Sequence, residues 1–156
     1  MTRERDGREL YLEDLAPGQI YRSGETTVTE ADIVRFAESF DPQPFHLDAG
    51  KAESTFFGGL AASGWHTASL TMRLLVGSGL RLAGGIIGAG MDELRWPKPL
   101  RPGDTIRLES EVIEVRPSRS RPGQGLAKVR TTTLNQHGEP VQVLVANLLV
   151  VCRPES

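Results

Sequence analysis

The chain has 156 residues, a length that suits a single domain spanning residues 1–156. Its hydrophobic fraction of 38% and mean hydropathy of −0.26 predict a soluble globular protein, and no apolar run approaches the roughly 20 residues that span a bilayer. The net charge of −2 and the pI near 5.9 argue against a basic surface of the kind that binds nucleic acid.

The cysteine and histidine content limits the chemistry further. The single cysteine, Cys152, excludes an intrachain disulfide and a cysteine metal cluster. The three histidines lack the His-x-x-x-His spacing of a metal site, so we expect no bound metal. The segment Met1–Asp6 is too charged to resemble a signal peptide, and we therefore expect a cytoplasmic protein.

The first clear helix follows an arm, 6–22, that contains a turn at Pro17-Gly18 and ends in a short strand. Thr29 is a good N-cap with Asp32 in the capping-box position. The helix is expected to stop near residue 40, because prolines follow at positions 42 and 44. Its apolar face, at helical spacing, comprises Ile33, Phe36, Ala37 and Phe40.

The segment Asp41-Pro42-Gln43-Pro44-Phe45-His46-Leu47-Asp48 is the most informative part of the chain. Its prolines predict a rigid, extended loop that holds Asp41 and His46, and a carboxylate with an imidazole is a common pair for proton transfer. Because Asp41 lies at the negative end of the helix dipole, we expect its pKa to be raised. Alternatively, the loop only terminates the helix, with Asp41 capping backbone groups and His46 on the surface.

A second main helix is predicted from Ser63-Gly64 to Val76, with Gly77 and Gly79 ending it. Only Arg73 is ionised in this segment, which predicts a helix buried around most of its circumference. The intervening segment 47–54 could form a short amphipathic helix.

Strands account for the rest of the chain. A bulge is expected near Val112, where the apolar phase shifts, and the last strand is apolar on both faces and should be interior. This order predicts an α+β fold in which an antiparallel sheet curls around one apolar helix, with another α+β sandwich as the alternative. The predicted strands are 84–96, 105–115, 126–134 and 141–151.

With these segments in view, the chain resembles the MaoC-like dehydratases, which include the (R)-specific enoyl-CoA hydratases and have the hot-dog fold. The family's Asp-x-Asn-Pro-x-His-x-Asp motif corresponds to residues 41–48, and Ala62-Ser63-Gly64 corresponds to its small-residue turn into the central helix. The later strand and turn are similar to residues 94–104, Leu-Arg-Trp-Pro-Lys-Pro-Leu-Arg-Pro-Gly-Asp.

The resemblance implies a hydro-lyase acting on an acyl-CoA thioester. Asp41 and His46 would activate water, and the Gly64 backbone N–H would stabilise the thioester oxyanion. It also implies contacts to the substrate around these residues, for which Gln43, Phe45, Ser63 and Trp65 are the candidates. No cofactor is expected beyond the CoA that the substrate carries. Two departures are noted, because Gln43 stands where the hydratases have Asn and Met72 stands where active hydratases tend to carry serine.

Two alternative functions stay open, a hot-dog acyl-CoA thioesterase that uses Asp41 and a non-catalytic acyl-CoA-binding protein. For a hot-dog protein we expect a homodimer, or a higher oligomer, with sheets joined edge to edge, and no nucleic-acid or membrane partner.

The arginines of the loop 116–125 could meet CoA phosphates or form a solvated hairpin. His66 could face substrate or satisfy a backbone carbonyl. The tryptophans Trp65 and Trp96 are expected to pack, and the glycines of 84–90 lack the context of a dinucleotide loop.

Overall fold

The computed structural model describes residues 8–155 and shows an antiparallel five-stranded sheet with a long helix packed on one face. The strands lie in the order β1-β3-β4-β5-β2. The helices are α1 (Glu30–Phe40), α2 (Pro44–Leu47), α3 (Ala49–Ala52) and α4 (Gly64–Val76), after a 3₁₀ turn at Leu12–Asp14. The strands are β1 (Ile20–Thr27), β2 (Ile87–Arg95), β3 (Thr105–Pro117), β4 (Gln124–Leu134) and β5 (Pro140–Val151). The predicted order of elements and the α+β architecture are confirmed.

The core lies between α4 and the sheet. Strand β3 alternates half-buried and buried residues, which is the period of a strand with one face against a core. Leu100 and Ile106 pack in one cluster, against which Leu70 of α4 packs, and Leu75 of α4 packs in a second cluster with Leu108 and Val112. Each fully buried side chain of this kind stabilises the fold by about 1.5–3 kcal/mol, so both clusters hold the helix against the sheet.

Helix α1 begins as its sequence predicts. The Thr29 hydroxyl accepts a hydrogen bond from the Asp32 N–H at 3.1 Å, and Asp41 is the C-cap residue. Ile33 and Ala37 are fully buried, whereas Phe40 is 73% exposed, so the predicted apolar face is only partly covered. The helix therefore delivers Asp41 to the end of α1 at a fixed position.

Two predictions about local structure between Asp41 and Val76 were wrong. His46 lies on the short helix α2 and not in an extended loop, because Pro44 occupies the first turn, where its missing N–H costs nothing. Helix α4 is not buried all round, since Trp65, Met72 and Val76 are 56%, 45% and 63% exposed. The predicted helix at 47–54 is shorter, covering only α3.

The strand predictions were closer. The register shifts between Val112 and Glu114 where β3 pairs with β4, which confirms the bulge. Strand β5 lies between β4 and β2 with buried residues on both faces, as predicted for an interior strand. β2 starts at Ile87 and not at Gly84. Of the predicted N-terminal arm, residues 6 and 7 lie outside the described residues, and its strand runs on to Thr27.

Within residues 8–155, no helix combines the length and apolar character needed to cross a membrane.

Candidate active site

Asp41 and His46 face each other, as their spacing predicts. Asp41 Oδ2 lies 3.3 Å from His46 Nε2, and the two side chains are 18% and 6% exposed. The turn of α2 between them reverses the chain, with the His46 N–H donating to the Gln43 carbonyl at 2.9 Å. The alternative in which His46 lies on the surface is therefore wrong.

A backbone carbonyl fixes the orientation of the His46 ring. His46 Nδ1 lies 2.6 Å from the Ala61 carbonyl oxygen, which can only accept a hydrogen bond. Nδ1 must therefore carry a proton, and Nε2 is the nitrogen available for chemistry beside Asp41. A direct hydrogen bond between His46 Nε2 and Asp41 Oδ2 requires a proton that lies between these two atoms, carried by either group.

The prediction for the Asp41 pKa was wrong in sign. Burial raises the pKa of Asp41, but hydrogen bonds from Gln43 and Ser63 and the charge of His46 together outweigh burial and lower the pKa from its ordinary value. The position of Asp41 at the C-terminus of α1 is thus less important than its side-chain neighbours. Asp41 is consequently a carboxylate near neutral pH, which suits a proton acceptor better than a proton donor.

The N-terminus of α4 leaves one backbone donor free. Ser63 accepts from the Trp65 N–H through its hydroxyl, at 3.3 Å, and from the His66 and Thr67 N–H groups through its carbonyl. The Gly64 N–H makes no hydrogen bond within residues 8–155. Since helix N-termini carry a partial positive charge, this N–H is placed to bind a developing oxyanion.

His46 and Gly64 line one cavity of about 570 Å³. Its inner wall includes the buried residues Ala62, Thr67 and Leu100, and Phe56, Trp96 and Lys98 are exposed. Arg101 also lines it, but its guanidinium is held by the carbonyls of residues 57, 59 and 60. The cavity has the size of a small-molecule site with a few convergent polar groups.

The four predicted substrate-binding residues have different positions. Gln43 donates to Asp41 Oδ1, and the fully buried Ser63 caps α4 and bonds Asp41. Phe45 packs edge-on against His46, with ring centroids 4.5 Å apart, and joins the core. Trp65 does not line the cavity and packs against Trp96. The structure thus brings Gln43, Phe45 and Ser63 next to Asp41 or His46, whereas none of the four predicted substrate-binding residues lines the cavity. Asp41 is likewise not among its lining residues, so of the pair His46 faces the cavity.

Trp96 lines the cavity beside Gly64, which the sequence did not predict. The sequence shows Trp96 in a Trp-Pro-Lys-Pro segment, but it does not show the pairing of β2 with β5 that brings this segment next to α4. Met72, which stands where hydratases tend to have serine, lies on the exposed face of α4.

Two other candidates lie away from this cavity. His66 stacks on Phe36, with ring centroids 4.7 Å apart, and its buried Nδ1 has no hydrogen-bond partner, so the predicted carbonyl partner is absent at that nitrogen. Burial lowers the pKa of His66, as does the charge of Arg73, and the nearby Asp32 only partly opposes them. Arg116, Arg119 and Arg121 line a separate groove at the β3–β4 turn.

Among the residues that the structure describes, no group of three or more His, Cys, Asp or Glu side chains is arranged to hold a metal ion.

Comparisons with known proteins identify relatives. A family model described as "MaoC like domain" matches residues 14–135. A 3-hydroxybutyryl-CoA dehydratase from Methylorubrum extorquens is 36% identical over 115 residues, covering 73% of this chain and 71% of the relative.

Solved structures show the same fold. The MaoC-like dehydratase from Rhodospirillum rubrum is 55% identical, with a TM-score of 0.91 and coverage of 94% of this chain and 99% of that one. The (R)-hydratase PhaJ1 from Pseudomonas aeruginosa is 26% identical, with a TM-score of 0.74 and coverage of 93% and 88%. The predicted hot-dog fold is confirmed by these structures.

Proposed function

Since the chain belongs to the MaoC-like domain family, we propose that it is a lyase that adds water to a 2-enoyl-CoA or removes it from an (R)-3-hydroxyacyl-CoA. The observation that carries this proposal is the 3.3 Å approach of Asp41 to His46, because His46 lines a cavity together with Gly64, whose N–H makes no hydrogen bond within residues 8–155. Relatives named as a 3-hydroxybutyryl-CoA dehydratase and an (R)-hydratase support the substrate class.

In the proposed hydration, Asp41 is the base and His46 is the acid. The Asp41 carboxylate takes a proton from water as the water oxygen bonds to the β-carbon of the enoyl group. The π electrons of the double bond move toward the thioester oxygen, where the Gly64 N–H stabilises the negative charge. The His46 imidazolium then delivers the Nε2 proton to the α-carbon, and one water has been added.

The pair is restored by an internal proton transfer. After one turnover Asp41 is protonated and His46 is neutral, and the proton passes between them over the 3.3 Å separation. The Ala61 carbonyl keeps Nδ1 protonated throughout. Because the steps are proton transfers and one C–O bond change, the reaction requires no cofactor other than the CoA of the substrate, and its reversal is the dehydration.

The reaction is tested with enoyl-CoA substrates of increasing chain length and two simultaneous readouts. Ultraviolet absorbance reports the conjugated double bond, and a thiol reagent reports free CoA. Loss of the double bond without free thiol supports the proposal, and chiral analysis of the product tests the (R) configuration. Free thiol would instead indicate a thioesterase, which the contact between Asp41 and His46 disfavours. Binding without either signal would contradict catalysis.

We also propose that the protein forms a homodimer through β2. Among the strands that the structure describes, β2 pairs with β5 alone, so its other edge is open, and open edges are usually covered. Ile87 and Met91 of β2 are 50% and 58% exposed, and Trp65 of α4, 56% exposed, packs against Trp96 just after β2. A twofold edge-to-edge pairing would bury this apolar surface and extend the sheet. A cytoplasmic location stays a prediction.

A further inference from the structure

The indole of Trp96 lies directly on Gly64. A Cβ atom added to Gly64 would be 2.6, 2.7 and 2.8 Å from Cε2, Cζ2 and Cδ2 of the ring. Real Cβ atoms do not approach other atoms so closely, so residue 64 can be only glycine while the ring stays in place. The ring and Gly64 therefore line the same corner of the cavity.

A buried glutamine holds the ring in this place. Trp96 Nε1 donates to Gln142 Oε1 at 2.9 Å, and Gln142 is fully buried. Because an indole N–H can only donate, the amide oxygen must face Trp96 and the amide nitrogen must face Thr71. That nitrogen lies 3.1 Å from Thr71 Oγ1, which is 2.7 Å from Thr133 Oγ1. The ring is thus tied to α4, β4 and β5 at once.

The hydrogen bond from Trp96 completes the pairing of the buried Gln142 amide. Burying an amide is unfavourable unless both of its polar atoms are paired, and here one of the two pairs is made with a tryptophan that is 40% exposed. The neighbouring Trp65 packs edge-on against Trp96 at 5.6 Å, and its indole N–H makes no hydrogen bond to any residue of 8–155.

We propose that Trp96 is a positioning residue that presses the substrate thioester against the Gly64 N–H and keeps water away from that donor, with Gln142 fixing the ring. The inference rests on the hydratase function proposed above. A backbone N–H stabilises a developing oxyanion best when it is preorganised and shielded from water. Trp96 therefore acts mainly on the transition state and not on binding of the CoA moiety.

The kinetic test compares Trp96→Phe, Trp96→Ala and Gln142→Leu, with Trp65→Phe as the matched control. We expect Trp96→Ala to lower kcat by about 10²-fold, the effect of losing one oxyanion donor, with little change in KM. Trp96→Phe should recover most of this loss, and Gln142→Leu should resemble Trp96→Phe. A higher KM with unchanged kcat would overturn the proposal, because the ring would then bind ground state and transition state equally.

A second test does not depend on turnover. The chain has two tryptophans, so the Trp65→Phe variant carries Trp96 as its single tryptophan. Saturating this variant with butyryl-CoA, which cannot be hydrated, should change the Trp96 fluorescence, whereas CoA without an acyl group should change it less. If butyryl-CoA binds by calorimetry and the fluorescence stays constant, the proposal fails even if the enzyme is an active hydratase. If the fluorescence changes in a protein without hydratase activity, the proposed function fails and the contact with the thioester stands.

A double substitution tests the contact itself. Gly64→Ala should destabilise the protein through the clash with the ring, and the same change should cost much less in the Trp96→Ala background. Equal losses of thermal stability in both backgrounds would show that the ring does not occupy this position.

Discussion

Replacing Asp41 and His46 singly and together tests whether they act as one unit. General acid–base groups contribute about 10²–10⁴-fold each. Independent groups would therefore multiply to about 10⁴–10⁸-fold in the double variant. The structure predicts otherwise, because the single 3.3 Å contact joins the two groups and one proton serves both.

We expect Asp41→Asn and His46→Gln each to lower kcat to a similar floor, and the double variant to lie within about threefold of the slower single variant. Hydration of crotonyl-CoA, followed by loss of ultraviolet absorbance under saturating substrate, measures this directly. The floor should stay above the uncatalysed rate, since the Gly64 N–H, worth about 10²–10³-fold, is untouched.

Ser39→Ala, on α1 outside the cavity, serves as the matched control and should keep the native rate. Thermal unfolding shows whether each variant is folded. Multiplicative losses in a folded double variant would refute the coupled-pair mechanism, and so would a double variant that is faster than either single one.

Three further predictions concern pH and assembly. Gln43→Leu removes a hydrogen bond that lowers the pKa of Asp41, so that pKa should rise and the acid limb of kcat/KM should move to higher pH. Burial lowers the pKa of His66 below its ordinary 6.5, so in mildly acidic solution the unfolded chain binds a proton that the folded chain does not. The free energy of unfolding should therefore fall as the pH drops below about 6.5. His66→Phe should remove this pH dependence, as measured by urea titrations at several pH values. Met91→Lys places a charge at the open edge of β2 and should shift the protein from dimer to monomer in light scattering, without loss of fold.

Each of these has a contrary outcome. An unchanged acid limb in Gln43→Leu would show that another group controls it. The same acid slope in His66→Phe would assign that slope to other groups, and a native protein that is monomeric at micromolar concentration would remove the basis of the dimer proposal.

Local sequence signals predicted the contact between Asp41 and His46 well. Thr29 and the two prolines fix where α1 begins and ends, and only four residues separate Asp41 from His46, so few conformations keep the two side chains apart. The start of α4 at Gly64 was likewise visible, because a capping serine precedes a long apolar segment.

Non-local contacts explain what the sequence did not reveal. The sign of the Asp41 pKa shift depends on Ser63, which follows far along the chain, and on the orientation of the Gln43 amide. The place of Trp96 depends on the pairing of β2 with β5, which brings Gln142 within reach of the indole. The burial of α4 was overestimated from composition, because exposed apolar residues look the same in sequence as apolar residues in a core.

The carbonyl of Ala61 that fixes the His46 ring has a wider consequence. Because Ala61 lies between His46 and Gly64 in sequence, the groups proposed to take part in the reaction and the carbonyl that orients His46 all come from the segment 41–64. The sheet supports this segment. One or two substitutions within this segment can therefore abolish the reactivity and leave the scaffold intact. Relatives with the same architecture need not share the same chemistry, and a silent copy would need both this segment and the Trp96–Gln142 pair outside it to regain full activity.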